Sequence, residues 1–118
     1  MTESAARIRE LNLYRRYFDL VSTGKKTTEV RVKYLYLADL AAGDVIRFRI
    51  KGTDETCDVL VKKITEYPDF EALLDGEGAA NVDPTVTREE QLANIRTIYP
   101  PGKEALGTLA IKIELLTP

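Results

Sequence analysis

The chemically densest stretch of this chain is Gly24-Lys25-Lys26-Thr27-Thr28-Glu29-Val30-Arg31. The β-branched residues Thr27, Thr28, Val30 and Val32 predict a strand over Thr27–Val32. Side chains alternate across a strand, so Thr27, Glu29 and Arg31 share one face and Thr28, Val30 and Val32 the other, with Lys26 just ahead of them. A guanidinium forks onto two oxygens of a phosphate or carboxylate, and an ammonium adds a point charge. Lys, Glu and Arg on one strand edge therefore suit an anionic or nucleobase-bearing ligand. The set also supports acid–base chemistry. A lysine held beside Arg31 in a partly desolvated cleft has its pKa lowered and becomes a base or nucleophile, with Glu29 orienting it. An exposed strand crossed by a surface ion pair of little energetic weight fits the bare charges as well.

What the chain lacks narrows the chemistry further. With no His among 118 residues there is no Ser/His/Asp or Cys/His relay and no imidazole metal ligand. The lone Cys57 cannot form an internal disulfide and falls far short of a zinc cluster, which points to a reducing compartment and to no metal. No apolar run is long enough to cross a bilayer or to follow Met1–Glu10 as a signal peptide, so a cytoplasmic location is expected. The net charge of −2 argues against attraction of polyanions by the molecule as a whole, yet its distribution is uneven: +5 over residues 1–51 and −7 over residues 52–118. Such asymmetry is a weak nucleic-acid signal, and two differently charged solvated faces account for it equally.

Around the charged octapeptide the periodicities predict its supports. Leu11 and Leu13 read as a short strand. Tyr14, Tyr17, Phe18 and Val21 recur at helical spacing, predicting a helix from about Arg15 to Thr23 that Gly24 ends in a left-handed cap. After an Asp39–Gly43 connector, Ile46, Phe48 and Ile50 alternate with Arg47 and Arg49 on a half-buried strand. A turn at Lys51–Asp54 returns the chain through a strand over Thr56–Thr65, which Pro68 breaks. One or two helical turns follow over Asp69–Leu74, then a loop over Gly76–Pro84. Thr87-Arg88-Glu89-Glu90 has the form of a capping box, opening a helix from Arg88 to about Tyr99 that Pro100 and Pro101 stop. Leu106–Leu116 alternates as a closing strand. No repeat or linker divides the chain, and 44% apolar residues suffice for one core, so a small mixed sheet or open barrel with helices around it is expected.

The spacing Gly24-x-Lys26-x-x-Glu29-x-Arg31 resembles the G-x-K-x-x-E-x-R signature of the activating signal cointegrator homology (ASCH) domain family. Three further landmarks resemble that family in the same order: Tyr17-Phe18-Asp19-Leu20-Val21, Ala42-Gly43-Asp44-Val45-Ile46-Arg47-Phe48, and Ile98-Tyr99-Pro100 with Gly107-Thr108-Leu109-Ala110-Ile111. The resemblance spans most of residues 8–116. It implies an α+β fold, a small PUA-like open β-barrel of mixed strands with flanking helices, formed by residues 1–118 as a single domain. It also implies a cleft into which Lys26, Glu29 and Arg31 face, RNA or a nucleotide as partner, and no cofactor. Relatives with chemistry include amidohydrolases that deacetylate acetylcytidine and a ribonuclease. The alternative implied here is thus a metal-independent hydrolase with Lys26 and Glu29 as catalytic groups. The amidohydrolases pair the motif Lys with a Thr three residues on. This chain has Glu29 there, and Thr28 points to the opposite face.

Other residues are candidates for the binding surface. Gly24 and Lys25 flank Lys26, Arg47 and Arg49 can extend a phosphate-binding surface, and the Tyr99 hydroxyl can reach the cleft. Tyr34 and Tyr36, in a connecting segment, are the better candidates for stacking on a base, whereas Tyr14 and Tyr17 are expected in the core and Cys57 as a small buried group. A small-molecule enzyme or sensor in which Arg31 holds a carboxylate suits the same cleft. Oligomeric state is not encoded in any of these features.

Overall fold

A computed structural model describes residues 7–116. Five strands form one curled sheet: β1 (Ile8–Leu13), β2 (Thr28–Val32), β3 (Val45–Ile50), β4 (Thr56–Tyr67) and β5 (Thr108–Leu115). Their spatial order is β1-β3-β4-β5-β2, with β1 parallel to β3 and the other pairs antiparallel. The first two strands in sequence are therefore the two outer edges of the sheet. Curling brings those edges back toward each other. The long strand β4 serves β3 with its first half and β5 with its second, and the register shift between Val61 and Lys63 is a bulge of the kind that sharpens twist and bends a sheet. The result is an α+β half-barrel with helices around it.

Alternation decides which side chains fill the barrel. On β3, Ile46, Phe48 and Ile50 point inward and are essentially buried, while Arg47 and Arg49 point out. They meet Leu11 and Leu13 of β1 and Ile111 and Ile113 of β5. Helix α1 (Arg15–Ser22) adds Phe18 and Val21 to this core. A second apolar cluster forms across the other face of β2 and β5. There Val30, Val32 and Ala110 pack against Phe70, Leu73 and Leu74 of α2 (Phe70–Glu77), Val82 of α3 (Ala79–Val82) and Ile95 of α4 (Arg88–Ile98).

One local expectation is corrected. The stretch 76–84 is not simply a loop, because α2 continues to Glu77 and α3 follows after one residue. Gly76 opens the expected loop, yet it lies inside α2 against the Tyr67 ring, where a Cβ would fall 2.5 Å from Oη. Gly78, at φ 92°, makes the turn between the two helices. Pro100 and Pro101 stop α4 as expected, and Pro101 also opens a short helix, α5 (Pro101–Glu104), since the first helical position needs no N–H donor. Elsewhere local signals and structure agree. Thr87 and Glu90 form the reciprocal capping box of α4, and Gly24, at φ 77°, reverses the chain after α1.

Phe48 is fully buried at the centre of the barrel core, so Phe48→Ala is expected to cost about 3–5 kcal/mol of unfolding free energy, read from the shift in denaturant midpoint.

Candidate functional site

Where the two edge strands approach, the inner face of β2 carries charge instead of aliphatic side chains. Glu29 lies opposite Ile111 and Arg31 opposite Leu109, so both share the face that lines the barrel. The turn at Gly24 delivers Lys26 to the same place, its amide donating to Leu20 O at 3.0 Å beside the Lys25 amide at 2.9 Å. Arg31 Nε donates to Glu29 Oε2 at 2.7 Å, and Lys26 Nζ stands 3.5 Å from Glu29 Oε1 and 3.3 Å from Val82 O. Arg31 Nη2 crosses the seam to Asn12 O of β1 at 2.9 Å. One carboxylate thus serves two cations, with the Lys26 and Glu29 side chains each only 4% exposed.

Burial and charge pull the three groups in definite directions. Burial pushes the Lys26 ammonium below the usual lysine range, and Arg31 adds to that, while Glu29 opposes it. For Glu29, burial alone favours the neutral acid, but Arg31 and Lys26 outweigh it and hold the carboxyl below its ordinary value. Arg31 is raised because Glu29 overcomes its burial. The next carboxylate, Asp83, is buried but committed to Arg16 at 2.6 Å. With Lys26 protonated, the cluster carries one positive charge more than its carboxylates neutralise.

That excess charge borders a cleft of about 230 Å³ between β1, β2 and α4. Its walls are Asn12, Leu13, Tyr14, Tyr17, Val82, Ile95, Ile98 and Tyr99, with Lys51 also lining it. The Tyr17 ring is within cation–π reach of two cations, 5.3 Å from the Arg16 guanidinium and 5.8 Å from Lys26 Nζ. Burial pushes the Tyr99 hydroxyl up to about 12, so it stays a protonated donor at neutral pH. Cys57 lies on β4, outside the cleft, and burial raises its thiol to about 11, which leaves little thiolate for nucleophilic work. Among the described residues no three His, Cys, Asp or Glu side chains gather to hold a metal ion, and no helix is long and apolar enough to cross a membrane.

Of the residues singled out by sequence, Lys26, Glu29, Arg31 and Tyr99 come together at the cleft. Gly24 does not line it; it shapes the turn and borders a separate cavity of about 340 Å³ near the start of β2. Lys25 is exposed beyond the cleft wall. Arg47 and Arg49 do not join the site, because they project from the outer face of the sheet. There Arg47 is held by Asp58 at 2.9 and 3.0 Å, and Arg49 by Glu10 at 2.8 Å. The basic excess of residues 1–51 is spent in the same way, on pairs such as Arg7–Asp44, Arg15–Glu55 and Arg16–Asp83, so it forms no common basic face. Thr28 is fully buried on the opposite face of β2, away from the cleft. Tyr14 corrects the expectation of core packing, being 57% exposed, whereas Tyr17 is half-buried and does pack against the barrel core, and both wall the cleft. Sequence reasoning missed Asn12, Lys51, Val82 and Ile98 as well, and only knowing that β1 and β2 face each other across a seam would have found them.

A five-stranded curled half-barrel sheet with flanking helices is the α+β fold of PUA-like domains. The family model described as "ASCH domain" matches residues 11–117, and the chain belongs to the ASCH domain family. The sequence matches no curated protein. Among solved structures it is similar to hypothetical protein PH0355, with 33% identity and a TM-score of 0.83 over 92% of this chain and 99% of that one. It is also similar to protein PF0455 from Pyrococcus furiosus, with 33% identity and a TM-score of 0.74 over 94% and 99% of the two chains. The ASCH domain from Lactobacillus crispatus JV V101 shares the fold at 9% identity, with a TM-score of 0.72 over 92% of this chain and 79% of that one.

The unequal charge count has a consequence for stability. Glu29→Gln leaves two buried cations without their carboxylate and is expected to cost about 3–5 kcal/mol, whereas Lys26→Met leaves a matched Glu29–Arg31 pair and is expected to be neutral or stabilising by about 1 kcal/mol. Because its folded pKa is depressed, Glu29 stabilises the fold above the ordinary carboxylate range of about 4.3, and that contribution disappears as pH falls through the folded value. Lys26 has the opposite signature. Between its lowered folded pKa and about 10.4 the unfolded chain binds more protons, so stability rises with pH there, and Lys26→Met should flatten that rise in chemical denaturation series.

Proposed function

We propose that this domain binds RNA or a nucleotide, with a base entering the seam cleft and its oxygens, or those of a phosphate, meeting Lys26 and Arg31. The observation that carries this reading is the surplus positive charge buried beside an aromatic-walled opening. Arg31 spends its Nε hydrogen on Glu29 and one Nη2 hydrogen on Asn12, and both hydrogens of Nη1 have no partner among the described residues. A ligand oxygen placed there compensates a charge that the protein leaves unmatched. At about 230 Å³ the cleft falls just below the roughly 300–1,000 Å³ of drug-sized sites, a volume suited to a nucleobase or nucleoside with the rest of the ligand outside. Tyr14, Tyr17 and Tyr99 offer rings to stack on, and Lys51 offers a cation for a phosphate. The family's general association with RNA supports the same reading. We take residues 1–118 to act as one domain, and in the cytoplasm, where a lone free thiol suits the reducing conditions.

A second reading, hydrolysis of a modified nucleoside or of RNA, is favoured by one observation: burial lowers the Lys26 pKa at the cleft, which suits a base or nucleophile. The neutral Lys26 amine would take a proton from water as the water oxygen bonds to the acyl carbon or phosphorus, and would pass that proton to the leaving group as its bond breaks, with Glu29 keeping the nitrogen in place.

Titration of a short single-stranded RNA at two salt concentrations tests the binding reading. Affinity is expected to fall steeply with salt, and Arg31→Ala to weaken binding by about 1–3 kcal/mol while Arg88→Ala, at a residue paired with Asp75 away from the cleft, changes little. No binding at either concentration removes the proposal. Incubation with acetylcytidine and with short RNAs separates the two readings, since product that Lys26→Ala abolishes makes the domain an enzyme.

A further inference from the structure

Beside the cleft the rings of Tyr36, Tyr34, Tyr99 and Phe70 form a continuous ladder. Tyr36 and Tyr34 are stacked, with centroids 5.7 Å apart and planes 17° from parallel. Tyr34 and Tyr99 follow at 6.2 Å, and Tyr99 and Phe70 at 5.7 Å. Phe70 is fully buried and anchors one end, and Tyr99 is a wall of the cleft. At the other end Tyr36 is 55% exposed, as expected for a ring covered by Tyr34 on one face and open on the other.

The open ring is held on a fixed frame. Tyr36 sits in a single 3-10 turn (Leu35–Leu37) closed by Leu37 N donating to Tyr34 O and Ala38 N to Leu35 O, each at 3.0 Å. Arg9 Nη1 donates to Tyr36 O at 2.7 Å, and Leu37 and Leu40 are buried in the barrel core beneath. A planar ring whose backbone is already ordered presents a stacking surface at little further entropic cost. Lys103 lies over the Tyr34 ring with Nζ 6.0 Å from its centroid, which places a cation alongside the ladder where a strand's phosphates would run.

We propose that the binding site continues from the cleft onto this ladder, so that its ligand is a single strand of at least two nucleotides, one base in the cleft and a neighbouring base on the outer face of Tyr36. The inference rests on the nucleotide-binding reading of the cleft. The small cleft favours it, since a base held there leaves the remainder of a strand outside, beside the only exposed ring of the ladder. Every base has a π-face, so the platform adds affinity without demanding a sequence.

Calorimetric titration of the full chain with the four nucleoside 5′-monophosphates and with mixed-sequence RNA tetranucleotides tests this. The tetranucleotides are expected to bind roughly five- to a hundred-fold more tightly than the monophosphates. Tyr36→Ala should erase that advantage and leave monophosphate affinity unchanged, and Tyr36→Phe should retain it. Monophosphate binding with no advantage for the longer strand overturns the platform and leaves the cleft reading standing. An advantage that survives Tyr36→Ala also overturns it and leaves the exposed ring to a partner other than RNA, and no binding of either ligand overturns both readings.

Discussion

Two cations share one carboxylate in the seam between the edge strands, and the architecture around them is organised to keep that imbalance in place. A charge surplus in a half-dry environment is costly, because neither water nor a counter-charge fully compensates it. Lys26, Glu29 and Arg31 persist there because β2 is pinned along its length to β5, because the reversal at Gly24 leaves Lys26 little freedom, and because the Asn12 and Val82 carbonyls accept from the two cations. The same Arg31 bond joins the opposite edges of the sheet. The seam is thus a structural joint and, on the proposed reading, a binding surface as well, and its most polar cluster sits where an aliphatic layer would otherwise close the barrel.

Function follows from what the joint leaves unsatisfied. Glu29 and the Val82 and Asn12 carbonyls fix the directions of both cationic groups, and on the proposed reading the remaining attraction is aimed into a small aromatic opening and not spread over the surface. Most of the surrounding arginines are paired with carboxylates, which keeps them from forming a general polyanion-binding face. Selectivity is therefore expected to come from the fit of a base and its oxygens, with the long-range field of an acidic protein contributing little.

Much of this was legible in the sequence because it is local. The alternation of Ile46, Phe48 and Ile50 with two arginines, the Thr87–Glu90 capping box and the Gly24 reversal each depend on residues within or beside one element, and the Lys26-x-x-Glu29-x-Arg31 spacing places two site groups on one strand and the third just ahead of it. The rest depends on partners far apart in the chain. Arg47 and Arg49 look like free cations until Asp58 and Glu10 are placed beside them in adjacent strands. Tyr14 and Tyr17 have core periodicity, but the stripe they belong to faces an open seam at one end. Gly76 falls in a stretch that reads as a loop because its partner, the Tyr67 ring, lies on β4, outside the helix that holds it. No property of residues 8–13 and 28–32 taken separately announces that the first and last strands of the sheet will meet.

The central claim, a buried surplus of positive charge completed by an anionic or oxygen-bearing ligand, is most directly tested by following the side-chain nitrogens of the eight lysines by NMR as pH is raised, with and without a nucleoside 5′-monophosphate. The account requires one lysine, missing in Lys26→Met, to lose its proton before the other seven, and to be shifted back upward when the ligand is bound. Eight lysines titrating together, or a Lys26 signal indifferent to saturating ligand, would contradict it.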